Sequence, residues 1–117
     1  MKHTAVEWVT IVHRYMDFCF RVASVPRVDE LASMIPISRE ELTRAFRAAT
    51  GRSPAAAFRT IQLRRAMDLL ENSDLLTVDI ARAAAYGSVR AFYRAFFRTL
   101  GVTPTTYRLR SRRLKKT

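Results

Sequence analysis

Residues 38–54, SREELTRAFRAATGRSP, return fifty positions later as residues 88–104, SVRAFYRAFFRTLGVTP. Both copies begin with Ser, carry Arg-Ala-Phe from the seventh to the ninth position, and end with Gly, a residue between, a Ser or Thr, and Pro. Upstream, Leu31-Ala32 returns as Ile80-Ala81, one residue out of step with the rest. Self-similarity of this kind indicates two copies of one supersecondary unit.

Apolar residues recur at helical spacing, and no segment alternates strictly between apolar and polar residues. We therefore predict an all-α chain with helices over 5–23, 28–35, 39–49, 54–72, 77–84 and 89–99, and a last short turn through Tyr107. Ser38 and Glu41 have the spacing of a capping box, while Ser53-Pro54 and Ser88 are start signals for two other helices. Gly51 and Gly101 end the helices before them.

In each copy, a short helix, a tight turn and a longer helix follow the helix-turn-helix plan. The helix over 54–72 is apolar around most of its circumference, which is typical of a central helix, and it is about 27 Å long. We predict two helix-turn-helix subdomains joined by this long central helix. The segments are 1–53 (N-terminal helix plus first subdomain), 54–72 (connecting helix), 73–108 (second subdomain) and 109–117 (a frayed basic tail).

The charge of the chain predicts a polyanionic partner. Lys and Arg number 21 against 10 Asp and Glu, which gives a net charge of +11 and a pI near 11.2. Residues 1–50 hold seven basic and six acidic residues, whereas residues 51–117 hold fourteen and four. The second half should therefore dominate any non-specific attraction to DNA.

The second helix of a helix-turn-helix lies in the major groove of DNA, so its outward positions must be polar. In the second copy, Arg90 and Arg94 lie one turn apart and suit guanine, while Tyr93 suits a thymine methyl or a phosphate. In the first copy, Glu40 either accepts a hydrogen bond from cytosine or is a tolerated surface acid. The predicted base-facing residues from this pattern are Glu40, Thr43, Arg44, Arg47, Arg90, Tyr93 and Arg94.

Phosphate contacts are expected from helix N-termini and from the cations beside them. The predicted phosphate contacts are Ser38, Arg39, Arg52, Arg82, Ser88, Arg98 and Arg108. Arg65 has apolar neighbours and is interpreted as structural. The basic residues from Arg110 to Lys116 are expected to add non-specific attraction.

The two copies predict a binding site of two different halves. Two reading units on a stiff spacer suit two successive major grooves, about 34 Å apart along one face of the duplex. Because the first copy carries acidic residues and less charge, we expect it to contribute less affinity. One monomer can occupy such a site.

Nothing in the sequence supports catalysis, a metal site or a cofactor. His3 and His13 are the two histidines, and the spacing of His13 from Cys19 places them on different faces of a helix. A single cysteine excludes an intrachain disulfide and suits a reducing cytosol. The start lacks the profile of a signal peptide, and no apolar run approaches membrane-spanning length. We expect a bacterial cytoplasmic protein associated with the nucleoid.

Residues 28–108 resemble the DNA-binding domain of the AraC/XylS family of bacterial transcription regulators. The motifs that carry the resemblance are Val28-Asp29-Glu30-Leu31-Ala32, Arg65-Ala66-Met67-Asp68-Leu69-Leu70, Asp79-Ile80-Ala81 and, most specifically, the run from Tyr86-Gly87-Ser88 through Thr103-Pro104 to Tyr107-Arg108. The resemblance implies two helix-turn-helix units joined by a central helix. It also implies base-facing roles for Glu40, Thr43, Arg44, Val89, Arg90, Ala91, Tyr93 and Arg94.

The chain departs from the family pattern at Pro36 and Ala85, where glycine is usual, at Arg27 and Leu76, where helix caps are usual, and at Ala57, where an aromatic residue is common. The resemblance implies a small stand-alone regulator. It also implies an activator, since activation is the commoner mode of regulation in the family, and RNA polymerase is then a candidate partner. The rival functions are a protein-interaction module of the same fold and a nucleic-acid binder that uses charge alone.

The first predicted helix has a second apolar stripe, whose members are Trp8, Ile11, Tyr15, Phe18 and Val22. Packing on the core is the favoured interpretation. The alternative is a protein interface such as a homodimer seam, although a monomer is preferred.

Overall fold

A computed structural model describes residues 2–115, which form seven α-helices and no strand. They are α1 (Ala5–Val22), α2 (Val28–Met34), α3 (Arg39–Thr50), α4 (Pro54–Asn72), α5 (Thr77–Ala83), α6 (Val89–Leu100) and α7 (Pro104–Lys115). The all-α prediction is confirmed, and the bounds of the first six helices lie within one residue of those predicted. The chain divides into two compact units between Ile61 and Gln62, within α4. The finer division into segments 1–53, 54–72, 73–108 and 109–117 stays a prediction.

Side-chain caps start α1 and α3 in different ways. At α1, Thr4 Oγ1 accepts a hydrogen bond from Glu7 N (3.1 Å) and Glu7 Oε1 accepts one from Thr4 N (2.9 Å), which completes a capping box that the sequence analysis missed. The bond from the Thr4 backbone lowers the pKa of the Glu7 carboxyl. At α3, Ser38 Oγ accepts from Glu41 N (3.0 Å), which is one half of the predicted box.

The core of the first unit forms where α1 covers α2, α3 and the start of α4. The rings of Trp8 and Phe46 lie 6.0 Å apart, and those of Tyr15 and Phe58 lie 5.4 Å apart. The buried apolar residues are Trp8, Val12, Tyr15, Met16, Cys19, Leu31, Ala32, Leu42, Phe46 and Phe58. Trp8 and Tyr15 therefore do not belong to the possible protein interface that was predicted, because both rings are buried in this core. Ile11 and Phe18 are half-buried, and their role in an interface stays a prediction.

Tyr15 also fixes the start of α2. Arg27 is the N-cap residue of α2, and its side chain makes no capping bond. The Tyr15 hydroxyl instead accepts a hydrogen bond from Arg27 N (2.8 Å) and donates one to Glu30 Oε1 (2.6 Å). Burial of this hydroxyl raises the pKa of Tyr15. A long-range hydrogen bond thus replaces the local cap that the sequence lacks at Arg27.

The second unit is built around a cluster whose members come from α4, α5, the turn after α5, and α6. The cluster consists of Ala66, Leu70, Ile80, Ala81, Ala84, Phe92 and Phe96. The turn after α5 is fixed by side chains of α4, because Gln62 Nε2 donates to Ala85 O (3.0 Å) and Arg65 Nε donates to Ala83 O (3.0 Å). The structural role predicted for Arg65 is confirmed. Ala85 in this turn has a φ of 62°, a left-handed conformation that glycine adopts more easily.

The predicted short turn and frayed tail after Pro104 are wrong over the described residues, because α7 continues to Lys115. Its cations approach the C-terminal end of α4, where backbone carbonyls lack helical partners and carry partial negative charge. Arg108 Nε donates to Leu70 O (3.2 Å), Arg112 Nη2 to Ser73 O (2.8 Å) and Asp74 Oδ1 (2.7 Å), and Lys115 Nζ to Glu71 O (2.7 Å). Residues 116 and 117 of the predicted tail lie outside the described residues.

Candidate nucleic-acid interface

The exposed face of α6 carries two arginines opposite its buried face. Ser88 starts the helix, with its Oγ accepting a hydrogen bond from Ala91 N (3.0 Å). Phe92 and Phe96 are fully buried and fix which side of α6 faces the core. Arg90 and Arg94 are exposed on the opposite side, about 40° apart around the axis at 3.6 residues per turn. Their guanidinium groups are thus available to a ligand outside the unit.

Tyr93 and Val89 lie at the margin of this face, and both are half-buried against the core of the second unit. The Tyr93 ring packs edge-on against Phe92 at 5.8 Å, and its hydroxyl lies 3.2 Å from Thr105 Oγ1 and 3.4 Å from Thr77 Oγ1. The helical spacing predicts an outward position for Tyr93, between the two arginines. In the structure its hydroxyl lies beside the first turns of α5 and α7, and a base-facing role for Tyr93 stays a prediction.

The exposed face of α3 has the same pattern with different charges. Leu42 and Phe46 are buried, as their repeat partners are in α6, and Glu40, Arg44 and Arg47 are exposed on the opposite side. Thr43 is half-buried. By the repeat, Glu40 occupies the position of Arg90, and Arg44 the position of Arg94. The outward face of α3 is therefore less cationic than that of α6.

Phe97 is an exposed residue that the sequence analysis did not place at the site. It is 56% exposed on α6, one turn after Arg94. The repeat contained the signal, because the partner of Phe97 is Arg47, which was predicted to face the bases. The amphipathic pattern predicts the opposite orientation, because an apolar residue near the end of an amphipathic helix is expected to point to the core.

The predicted phosphate contacts fall into two groups. Arg39, Arg82 and Arg98 are exposed, and Ser38 and Ser88 are exposed residues at the N-termini of α3 and α6. Two arginines have internal partners: Arg52 Nη2 donates to Thr60 Oγ1 (2.8 Å), and Arg108 donates to the end of α4 as described above. The guanidinium of Arg108 is half-buried there, so its observed role is to cap a helix.

Over residues 2–115, no helix is long and apolar enough to cross a membrane. The same residues contain no group of three or more His, Cys, Asp or Glu side chains arranged to hold a metal ion.

A family model described as a helix-turn-helix domain matches residues 31–110, from within α2 to within α7. The RCS-specific HTH-type transcriptional activator RclR of Escherichia coli is 36% identical over 87 residues, which are 74% of this chain. The chain belongs to the AraC/XylS family of helix-turn-helix transcription regulators. The proteins of this family are DNA-binding regulators and not enzymes.

The AraC/XylS match covers the greater part of this chain but a smaller part of its relatives. The MmsAB operon regulatory protein of Pseudomonas aeruginosa is 29% identical over 85 residues, which are 73% of this chain. The chain covers 31% of the length of RclR and 28% of the length of the MmsAB regulator. The chain thus spans about a third of the length of these two relatives.

Two solved structures of regulatory proteins have the same fold. The DNA-binding domain of AdpA, determined in complex with a target DNA, superposes with a TM-score of 0.78 at 27% identity and covers 91% of this chain and 96% of that one. The C-terminal domain of AraT from Geobacillus stearothermophilus gives a TM-score of 0.72 at 26% identity, over 84% of this chain and 83% of that one.

Proposed function

We propose that this chain is a sequence-specific DNA-binding activator of transcription that reads two successive major grooves with α6 and α3. The observation that carries the proposal is the position of Arg90 and Arg94 on the exposed face of α6, opposite the buried Phe92 and Phe96. AdpA, whose DNA-binding domain has this fold and 27% identity, was solved with a target DNA. The likeness to a DNA-bound domain supports a duplex as the ligand of α6.

Arg90 and Arg94 suit base recognition because a guanidinium can donate two parallel hydrogen bonds to O6 and N7 of guanine. The N-terminus of α6 begins at the exposed Ser88, and the backbone N–H groups of its first turn favour a phosphate there. Arg82 and Arg98 are exposed in the same unit and add cations that can flank the groove. In this arrangement, phosphates fix the position of α6 and the two arginines read the bases.

The proposed site has two unequal halves, because the exposed faces of α3 and α6 differ. Arg44 is the counterpart of Arg94, but Glu40 stands where α6 has Arg90. We propose that α3 reads the weaker half, with Glu40 accepting a hydrogen bond from the amino group of cytosine. The half-sites would lie about 34 Å apart, one turn of the duplex. A monomer would occupy the whole site. The proposed partner of such an activator is RNA polymerase, which it would meet on the bacterial nucleoid.

A second candidate function is a protein-interaction module in which α3 binds a protein. The exposed Glu40 and Glu41 in the first turn of α3 favour it, because carboxylates there repel DNA phosphates. In that case α6 would still bind DNA, and the site would have one half.

The experiment that tests the proposal is selection of bound duplexes from a random pool, followed by competition against bulk DNA. We expect enrichment of a site with two different halves, preferred over bulk DNA by about 10³ or more. Enrichment of one half would favour the protein-interaction function for α3. Absence of any enriched sequence, with a steep salt dependence, would contradict sequence recognition and favour a binder that uses charge alone.

A further inference from the structure

Phe97 is exposed without contributing to the core. The other six phenylalanines of the chain are buried or half-buried, whereas Phe97 is 56% exposed. Its repeat partner in α3 is Arg47, which is exposed at the same position of the helix. Burial of a phenyl ring is favourable, so that Phe97 would gain from an apolar ligand group at this cationic surface.

Phe97 belongs to the same face of α6 as the two arginines. At 3.6 residues per turn, it lies about 20° around the axis from Arg90 and about 60° from Arg94. It follows Arg94 by about 4.5 Å along the helix, at 1.5 Å per residue. Arg98 is its exposed neighbour in the chain. The phenyl ring is therefore a large apolar group on the exposed face of α6 that also carries Arg90 and Arg94.

The chemistry of this face selects its ligand. The three arginines require a polyanion, and the ring requires an apolar group beside it. In the major groove of DNA, the apolar group presented by the bases is the C5 methyl of thymine, which Phe side chains contact. A protein partner for this face would need acidic residues around an apolar pocket, whereas a duplex supplies both features wherever a T·A pair occurs.

We infer that Phe97 contacts the C5 methyl of a thymine and so specifies a T·A pair in the half-site read by α6. The inference rests on the proposed function. Because successive base pairs are about 3.4 Å apart, a step of about 4.5 Å along α6 corresponds to one or two base pairs. The T·A pair lies one or two base pairs beyond the pair read by Arg94, on the side away from Arg90. The half-site read by α3 has no such preference, since Arg47 occupies this position there.

The test uses the full chain and the duplex selected by the wild type. The base pair read by Arg94 is located first, as the position at which Arg94→Ala relaxes the selected sequence. Each thymine within two base pairs of it is then replaced by deoxyuridine, which removes the methyl group and leaves the base pair intact. Replacement of the thymine that Phe97 contacts should weaken wild-type binding about fourfold, as loss of one buried methyl contact predicts. Phe97→Ala should bind both duplexes equally.

Leu109→Ala is the matched control, because Leu109 is 60% exposed in α7 of the same unit. It should discriminate thymine from deoxyuridine as the wild type does. Phe97→Arg, which installs the residue found in the first copy, should lose the discrimination and bind all sequences more tightly at low salt.

Two results would overturn the inference about Phe97 without contradicting the proposed function. One is a selected half-site without thymine within two base pairs of the Arg94 position. The other is a Phe97→Ala protein that still discriminates thymine from deoxyuridine as well as the wild type, as expected if the ring serves a protein partner. A wild type that selects no sequence would instead overturn the proposed function, and this inference with it.

Discussion

Two arginines in one unit illustrate how position on a helix separates specific from non-specific binding. Arg94 and Arg113 are both exposed, but Arg94 lies opposite the buried face of α6, whereas Arg113 lies near the end of α7. A cation aimed at base edges discriminates between sequences, and a cation beside phosphates does not.

Arg94→Ala should therefore weaken binding to the selected duplex by about 1–3 kcal/mol and relax the preference at one base pair. Arg113→Ala should weaken binding to all sequences about equally. Titration of both variants against the selected duplex and against single-base variants of it measures the difference. If Arg94→Ala binds like the wild type, α6 does not dock by this face.

Ala84 and Ala85 form a natural pair for measuring backbone strain. Both are buried in the turn after α5, but Ala84 has a φ of −96° and Ala85 has a φ of 62°. Either change to glycine loses a similar buried methyl group and adds similar freedom to the unfolded chain. Only Ala85→Gly also relieves a left-handed conformation, which costs about 1–2 kcal/mol for a residue with a Cβ.

We expect Ala85→Gly to have a free energy of unfolding about 1–2 kcal/mol greater than that of Ala84→Gly. Urea unfolding of the two variants, compared with the wild type, checks this expectation. Equal stabilities would mean that the turn holds Ala85 without strain.

At the scale of the helix, α7 depends on the end of α4. Arg108, Arg112 and Lys115 donate to carbonyls in and just after the last turn of α4, and Asp74 accepts from Arg112. The hydrogen bond from Arg112 lowers the pKa of the Asp74 carboxyl. Burial raises the pKa of Tyr107 to about 12, and its hydroxyl donates to Glu71. These contacts hold a strongly basic segment in a helix.

Arg112→Ala should lower the free energy of unfolding by about 1 kcal/mol, because two hydrogen bonds at a partly exposed site are lost. Arg113→Ala removes the same charge and should change stability by less than about 0.5 kcal/mol. Thermal or urea unfolding distinguishes them. A stability that is equal for the two variants would show that α7 does not depend on this cap.

The accuracy of the sequence-based helix bounds has a local cause. Ser38, Ser88, Gly51 and Gly101 mark helix ends by chemistry within one turn, and both glycines have a positive φ, as a left-handed C-cap requires. The end of α7 could not be predicted in this way. Its cations bind backbone carbonyls nearly forty residues earlier in the chain, and carbonyls have no signature in the sequence.

The candidate DNA-binding residues could be predicted in part from the sequence, as the helix bounds could. The repeat placed Arg44 and Arg94 on exposed faces correctly, because Phe46 and Phe96 fixed the inward side. The half-burial of Tyr93 depends on its packing against Phe92 and Thr105, and this packing is a tertiary contact. Periodicity alone does not distinguish a side chain at the margin of a face from one at its centre.

Across the whole molecule, charge is divided unequally between the two halves of the chain. Residues 1–50 are nearly balanced, with seven basic and six acidic residues, whereas residues 51–117 have fourteen and four. The attraction of a chain to DNA follows the cations that displace counterions from the phosphates. A duplex should therefore be held mainly by the second copy, with the first adding specificity at lower affinity.

Arg44→Ala and Arg94→Ala compare the copies at equivalent positions. We expect Arg94→Ala to weaken binding to the selected duplex more than Arg44→Ala, because Glu40 already lowers the attraction of α3 to DNA. Glu40→Ala should lower affinity for the selected half-site, because the proposed hydrogen bond from the cytosine amino group is lost. An equal or higher affinity would show that Glu40 is a tolerated surface acid and reads no base. Titrations of the three variants at two salt concentrations provide the measurement. An Arg44→Ala protein that loses as much affinity as Arg94→Ala would mean that the two units share the binding energy, and that net charge does not rank them.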